Sequence, residues 1–417
     1  MGSKMLNMKN ILTENETFNA PVNKLPEHIE ELFTVGDLSV KKIVGEFWTS
    51  KQRQASSLQE ISYRACFKPQ LPNYFIKKYT KENDIVYDPF GGRGTTAIEA
   101  ALMGRRIIQN DINPISTILS AGRMAVPTLR QIEKRLDEIE IIKNLQSDID
   151  LSMFYESKTF NEILSLKHYF LQKEKNKTFD TIDAWIRMVA TNRLTGHSSG
   201  FFSVYTMPPN QAVSAESQIR INEKRKQIPT YRDTKKIILK KSKQLLSGLS
   251  QNEITNLHQA FTTAIYLNNP ADKTTEIESD SVSLVVTSPP FLDIVQYKDD
   301  NWLRCWFNGI DSEAVGKGIT MAKTVEAWAT QMKNVLAELY RVIKQNGVIA
   351  FEVGEIRNGK IKLDEVILPV GIEVGLSCEY VMINSQIFTK TSNIWGVSNN
   401  EIGTNSNRIV VFRKGNE

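Results

Sequence analysis

Apolar positions along this chain fall into short continuous runs over two stretches and into helical spacing between them. Ile85-Val86-Tyr87 is an apolar run closed by Asp88-Pro89-Phe90-Gly91-Gly92-Arg93-Gly94, which predicts a buried strand feeding a glycine-rich loop. Thr95 and Thr96 open a helix through Met103, closed by Gly104. Arg106 to Gln109 predicts a second strand, ending at Asn110-Asp111. Such a strand–loop–helix–strand unit implies a parallel, doubly wound α/β sheet. The same texture resumes after Leu267. Val282–Val286 reads as a strand, and Val325–Val342 as an amphipathic helix with Val335, Leu336 and Leu339 inward. Gly347–Val353 reads as another strand, with Ser385–Thr389 and Arg408–Phe412 as strands near the sheet edge. Residues 1–45 are polar and weakly patterned, which predicts a partly ordered N-terminal arm.

Between about Gln131 and His258 the pattern is different. Helical spacing as in Ile132-Glu133-Lys134-Arg135-Leu136 gives way to an irregular patch, Thr195–Phe202, and then to a basic segment. Arg220, Lys224, Arg225, Lys226, Arg232, Lys235, Lys236, Lys240, Lys241 and Lys243 face only Glu223 and Asp233 there. The expected organisation is an arm (1–45), a first catalytic part (46–129), an insert (130–265) and a second catalytic part (266–417).

Composition narrows the class. The 417 residues are 41% hydrophobic and 24% charged, ordinary for a soluble globular chain of two or three domains. The net charge of +5 matters because it is concentrated in the insert. Cys66, Cys305 and Cys378 are far apart and form no CxxC pair, so a disulfide scaffold is disfavoured and a reducing, cytoplasmic setting expected. His28, His168, His197 and His258 are scattered, so no metal site is expected. No apolar run has the length of a membrane span, and no signal peptide is expected.

Two motifs carry candidate chemistry. Thr287-Ser288-Pro289-Pro290-Phe291 follows the apolar run at 282–286. Two prolines stiffen the loop and donate no backbone hydrogen bonds, so its carbonyls stay available as acceptors. Ser288 adds a hydroxyl and Phe291 a flat face, parts that suit gripping a planar amine while stacking on its ring. The second motif is the glycine loop. Loops of this kind cradle phosphates in dinucleotide sites, but Asp88 at the entrance would repel a pyrophosphate and suits an ammonium group. S-adenosylmethionine carries an ammonium and a sulfonium and no phosphate. Asp111 stands where an acid accepts from ribose hydroxyls, and Phe90 and Ile112 are placed to sandwich an adenine. A Walker loop is excluded because no Gly-Lys-Ser/Thr follows.

The two motifs together resemble the amino-directed DNA methyltransferases. Asp88-Pro-Phe-Gly-Gly-Arg-Gly-Thr-Thr96 is similar to their cofactor motif, and Thr287-Ser-Pro-Pro-Phe291 to their catalytic motif in its N4-cytosine form. Adenine-N6 enzymes more often have Asp or Asn at the Ser288 position. Phe67-Lys68-Pro69-Gln70-Leu71-Pro72 resembles the segment that covers the methionine end of the cofactor. Leu339–Gly347 and Asn407–Arg413 resemble the late helix and final strand. The likeness spans about two-thirds of the chain and omits the insert. It implies a Rossmann-like S-adenosylmethionine-dependent methyltransferase sheet with a largely helical inserted target-recognition domain. Two departures stand out. The glycine loop precedes the catalytic motif, and Leu267-Asn268-Asn269-Pro270 offers no acid before Asp272.

The implied reaction is direct displacement on a flipped base, with the Ser288 side chain and the Pro289 carbonyl gripping the amine, Pro290 stiffening the loop and Phe291 stacking. Asp293 lies close enough in sequence to touch the amine or the base edge, with a structural role the favoured reading. No cysteine follows a proline, so a covalent C5-cytosine route is disfavoured. The substrate expected is duplex DNA, bound by Arg193, His197, Arg225, Lys226, Arg232, Lys235, Lys236 and Lys240. Any restriction endonuclease partner would be another chain. Adenine-N6 methylation, an RNA amino-methyltransferase and a catalytically idle nucleic-acid-binding module are the rivals. Thr206-Met207-Pro208-Pro209-Asn210 echoes the catalytic motif without its aromatic and reads as a structural turn.

Overall fold

The computed structural model describes residues 28–48, 55–64, 66–208, 212–292, 297–318, 322–356, 360–385 and 406–415. A hairpin, β1 (His28–Val35) and β2 (Leu38–Gly45), precedes α1 (Gln70–Tyr79). Next come β3 (Ile85–Asp88), α2 (Thr95–Leu102), β4 (Arg106–Asn110) and α3 (Ile115–Met124). Six helices follow: α4 (Leu129–Glu138), α5 (Ser157–Lys175), α6 (Thr181–Arg193), α7 (Ala215–Arg225), α8 (Thr234–Leu245) and α9 (Gln251–Thr263). After β5 (Ile265–Leu267) and β6 (Val282–Thr287) come α10 (Tyr297–Phe307), α11 (Ser312–Gly318), α12 (Val325–Val342) and β7 (Ile343–Val353). The chain closes with β8 (Glu355–Ile356), β9 (Ile361–Lys362), α13 (Leu363–Glu373), β10 (Leu376–Ser385) and β11 (Ser406–Lys414).

Nine strands form one sheet in the order β1-β2-β10-β11-β7-β6-β3-β4-β5. The run from β7 to β5 is parallel, and β11 pairs antiparallel with both β7 and β10. The connections leave β3 in opposite directions, through α2 to β4 and later back to β6. The topological switch point therefore lies between β3 and β6, where doubly wound sheets bind ligands outside the carboxyl ends of their strands. β3 ends at Asp88 and β6 at Thr287, which places both sequence motifs on that crevice.

Both faces of the sheet are covered, which explains the unbroken apolar runs of its central strands. One face buries Tyr87, Val285, Ile349 and Phe351 against Trp328, Leu336 and Leu339 of α12 and Ile367 of α13. The Thr324 hydroxyl caps the start of α12 by accepting from Ala327 N. The other face buries Val86, Leu284, Val286 and Val348 under α1, α2 and α3, and its core continues without a break into Ile163, Trp185, Met188, Ile238 and Leu257 of the insert. The insert is thus a helical layer sharing the sheet's own core. Gly122 lets α3 approach α6 closely: a Cβ there would lie 2.4 Å from Met188 Cβ.

Two features differ from the sequence reading. Residues 28–45 form a regular antiparallel hairpin added to the sheet edge through parallel pairing of β2 with β10. Its outer strand exposes Ile29 (68%) and Leu32 (79%), so it lacks the alternation that marks a half-buried strand. The strand expected at 385–389 lies earlier, at Leu376–Ser385, and residues 386–389 fall outside the described set. No helix among the described residues is long and apolar enough to cross a membrane.

Candidate active site

A cavity of about 560 Å³ opens at the switch point. Phe90 and Gly92 come from the loop after β3, Asp111, Ile112 and Asn113 from the end of β4, Asn269 and Asp272 from the loop after β5, and Ser288 and Pro290 from the loop after β6. Thr330, Gln331 and Asn334 of α12 form the far wall. The volume lies within the range of small-molecule sites.

Hydrogen bonds fix the crevice. Asp88 is buried (2% exposed), and its Oδ1 accepts from Phe90 N (3.1 Å) and Thr287 Oγ1 (2.6 Å). Burial pushes its pKa up to about 7, against the opposing pull of those hydrogen bonds. Asp111 accepts from Gly92 N (2.7 Å) and Asn113 N (2.9 Å), which binds the glycine loop to the end of β4, and burial raises its pKa. Gly94 sits at φ 77° as the N-cap of α2, a left-handed conformation that glycine adopts without strain. Thr96 Oγ1 donates to Val286 O (3.0 Å), fastening α2 to β6.

The Ser288-Pro289-Pro290 loop is pinned from α12 by a residue that sequence reasoning passed over. Trp328 Nε1 on α12 donates to Pro290 O at 3.0 Å. Glu352 on β7 is buried, and Asn407 Nδ2 donates to its carboxylate; burial raises its pKa to about 7, with the Ser288 hydroxyl pulling the other way. Among the described residues no hydrogen bond ends on the Pro289 carbonyl. Tyr63 also lines the cavity, its ring 3.6 Å from where a Cβ on Gly92 would stand. Arg93 holds Tyr63's segment in place by donating to Gln59 O and Ile61 O. A glutamate inside the buried run Val348–Val353 is the one sequence signal that could have flagged Glu352.

The expected cofactor residues divide in two. Phe90, Gly92, Asp111 and Ile112 are on the cavity wall. Asp88, Gly91, Gly94, Thr95 and Thr96 lie beneath it and shape the loop. Phe67, Lys68 and Pro69 are not on the wall: Phe67 packs on the core, Lys68 Nζ donates to Trp48 O at 3.1 Å, and Pro69 caps α1. Of the catalytic set, Ser288 and Pro290 line the cavity and Phe291 packs partly buried beside the second core. Asp293 lies outside the described residues.

The basic set also divides. His197, Arg225, Lys226, Lys236 and Lys240 are exposed, with Arg225 stacked 3.7 Å over the Tyr205 ring. Arg193 is a correction: it is 8% exposed, lies 3.9 Å over the Phe201 ring and donates to Asn192 O, so its guanidinium is spent inside the fold. Lys235 donates to Ile139 O at 2.7 Å, which ties α8 to the end of α4. Arg232 is half-buried where its backbone meets Thr159. Pro209 and Asn210 of the echo motif lie outside the described residues. Among the described residues no three His, Cys, Asp or Glu side chains gather as a metal site.

The sequence matches the N6/N4 DNA methylase family over residues 15–117 and 282–417, more than half of the chain and both halves of the crevice. The chain belongs to that family. The unmatched stretch contains the helical insert. A type II methyltransferase, M.MjaII of Methanocaldococcus jannaschii, is 33% identical over 91 residues, which is 21% of this chain and 17% of that protein. The orphan methyltransferase M.BamHII of Bacillus amyloliquefaciens is 42% identical over 62 residues, 14% of this chain and 23% of that one. The chain thus matches less than a quarter of the length of either relative. A DNA modification methylase from Thermus thermophilus, solved with S-adenosyl-L-methionine, is 20% identical over 36% of this chain and 52% of its own, with a TM-score of 0.23. Likeness at that level carries no argument.

Proposed function

We propose that this N6/N4 methylase transfers a methyl group from S-adenosylmethionine to the exocyclic N4 amine of a cytosine flipped out of duplex DNA. The observation that carries the reading is the Ser288-Pro289-Pro290 loop, fastened to α12 through Pro290 O on a cavity at the switch point whose other wall is the glycine loop.

The cavity fits the donor. Asp111 and Asp272 face it against the single base Lys323 among its described lining residues, a balance that suits a cation and disfavours a pyrophosphate. Phe90 and Ile112 offer apolar faces to an adenine, and Asp111 offers its remaining carboxylate lone pairs to ribose hydroxyls. Asp272 supplies the acid missing from Leu267–Pro270. When bound, S-adenosylmethionine supplies an electrophilic methyl group on a sulfonium.

The chain's own residues prepare the nucleophile. An exocyclic amine is weakly nucleophilic because its lone pair is delocalised into the ring. Ser288 Oγ and the Pro289 carbonyl accept its two N–H groups and favour a pyramidal nitrogen with the lone pair aimed outward. The Trp328 bond to Pro290 O holds the loop that carries those acceptors in place before substrate arrives, so catalysis is mainly positioning. The exposed cations of α7 and α8 supply the non-specific hold on the DNA backbone, and the insert reads the target. A restriction endonuclease, where one accompanies the enzyme, is a separate chain in this reading.

Nucleoside mass spectrometry of DNA incubated with the protein and S-adenosylmethionine tests this. N4-methylcytosine is expected. N6-methyladenine would overturn the choice of base, and methyl transfer to RNA alone would overturn the choice of polymer.

A further inference from the structure

We infer that the helical insert completes the donor side of the cavity: Asn192 of α6, together with Arg304 of α10, is a positioning residue that sets the Tyr63 ring over the glycine loop. The inference rests on the S-adenosylmethionine site of the reading above and is independent of which base is methylated.

Tyr63 is a cavity-wall residue whose ring stands beside Gly92 of the glycine loop. Ile61, Ser62 and Tyr63 belong to no helix or strand, so the sheet does not fix them. Their backbone groups need partners from elsewhere. Both backbone groups of Ser62 are taken by side chains. Its N–H donates to Asn192 Oδ1 at 2.9 Å, and its carbonyl accepts from Arg304 Nη2 at 3.0 Å. On the other flank of Tyr63, Arg64 Nη1 donates to both carboxylate oxygens of Asp300 on α10, at 2.9 and 3.1 Å. The Arg304 guanidinium also lies 5.5 Å from the centre of the Tyr63 ring, within reach of a cation–π contact.

The two supporting helices are tied to each other. Arg187 Nε on α6 donates to Asn308 Oδ1 at 2.6 Å, and Asn308 Nδ2, just past α10, donates to Thr191 Oγ1 at 3.0 Å. Asn192 is 3% exposed, and its Nδ2 meets no hydrogen-bond partner among the described residues. An idle buried donor is costly, so this amide serves through its acceptor, and that acceptor is spent on Ser62. From the opposite side Arg93 of the glycine loop reaches Ile61 O and Gln59 O. Tyr63 is thus held between the glycine loop on one side and α6 and α10 on the other. A shift of α6 would move the ring against the loop that receives the donor.

Calorimetry of the ligand-free, full-length protein with S-adenosylmethionine tests this without DNA. No binding by the wild-type chain would sink the donor site itself; the variants are read against a wild type that binds. Asn192→Leu keeps the side chain's size and removes the acceptor, and Kd should rise about 10-fold. Asn192→Asp restores the acceptor and should bring Kd back to within about threefold of wild type. Tyr63→Ala should weaken binding at least as much as N192L. The double variant should match Y63A within about twofold, because Asn192 acts through Tyr63. A merely structural role would lower the melting temperature and leave the donor affinity at the wild-type value. That result in N192L, or losses that multiply in the double variant, overturns the inference. Should N192L not fold, Arg304→Lys carries the test, since one ammonium cannot span both Asn301 Oδ1 and Ser62 O. Its Kd should rise at least about fivefold, and a wild-type Kd in R304K overturns the inference.

Discussion

Thr287 Oγ1 donates to Asp88 Oδ1 at 2.6 Å, joining the carboxyl ends of β6 and β3 across the switch point. The bond links the two sequence motifs through one buried carboxyl. Burial raises the Asp88 pKa to about 7, while the Thr287 hydroxyl favours the charged form. An acid whose folded pKa lies above its unfolded value stabilises the fold fully below the unfolded pKa, and that stability is lost as pH rises through the folded pKa. The contribution of Asp88 to stability should therefore fall between about pH 4 and about pH 7 and then level off. Denaturant unfolding of the ligand-free protein across that range should show the fall, and Asp88→Asn should flatten it. Thr287→Val should move the midpoint upward and destabilise the protein at neutral pH by about 1–3 kcal/mol.

Trp328 should act on turnover more than on binding. Its indole N–H fixes the Pro290 carbonyl, while its ring fills the core under α12. Trp328→Phe keeps most of the ring volume and removes the donor. Small displacements of reacting groups are costly in rate, so kcat should fall roughly 10- to 100-fold with KM for S-adenosylmethionine little changed. Steady-state kinetics with both substrates varied decides this; an unchanged kcat would show that packing alone holds the loop.

Gly94 should tolerate no side chain. Its φ of 77° is left-handed, and a Cβ would stand 1.9 Å from Ser120 Oγ. Gly94→Ala should cost roughly 1–3 kcal/mol from strain alone, with displacement of α3 added. Thermal melts should show the loss, and S-adenosylmethionine affinity should fall with it because Gly92 and Phe90 share the loop.

The central sheet was legible because strands buried on both faces leave continuous apolar runs, as at Val282–Val286, and end in turn residues. The hairpin at 28–45 was not, since an edge strand with Ile29 and Leu32 in solvent leaves no buried face to read. Within the site, the motif residues were legible as types at strand ends. Their supports were not: Trp328 reads as one more core residue of an amphipathic helix, and Glu352 as a break in an apolar run. Each draws its meaning from a place distant in sequence: packing of α12 on the sheet brings Trp328 to Pro290, and the β6–β7 register sets Glu352 just past the Thr287 level. Arg193 failed in the opposite sense. Its charge pointed to phosphate, but its place at the end of α6 puts it under Phe201.

That failure sharpens the DNA prediction. Lys226, Lys236, Lys240 and Arg225 are exposed on α7, α8 and their junction, whereas Arg193 is buried. Each cation that neutralises a phosphate releases counterions, so the slope of log affinity against log salt counts such contacts at about 0.9 each. Replacing these four residues by Glu should flatten the slope by about 3 to 4 and weaken binding at low salt. Arg193→Ala should leave the slope unchanged and lower the melting temperature, because it removes a cation–π contact and leaves a gap beside Phe201. Fluorescence anisotropy over a salt series, set beside thermal melts, separates the two. A flattened slope in R193A, or an unchanged one in the fourfold variant, would move the DNA path away from α7 and α8.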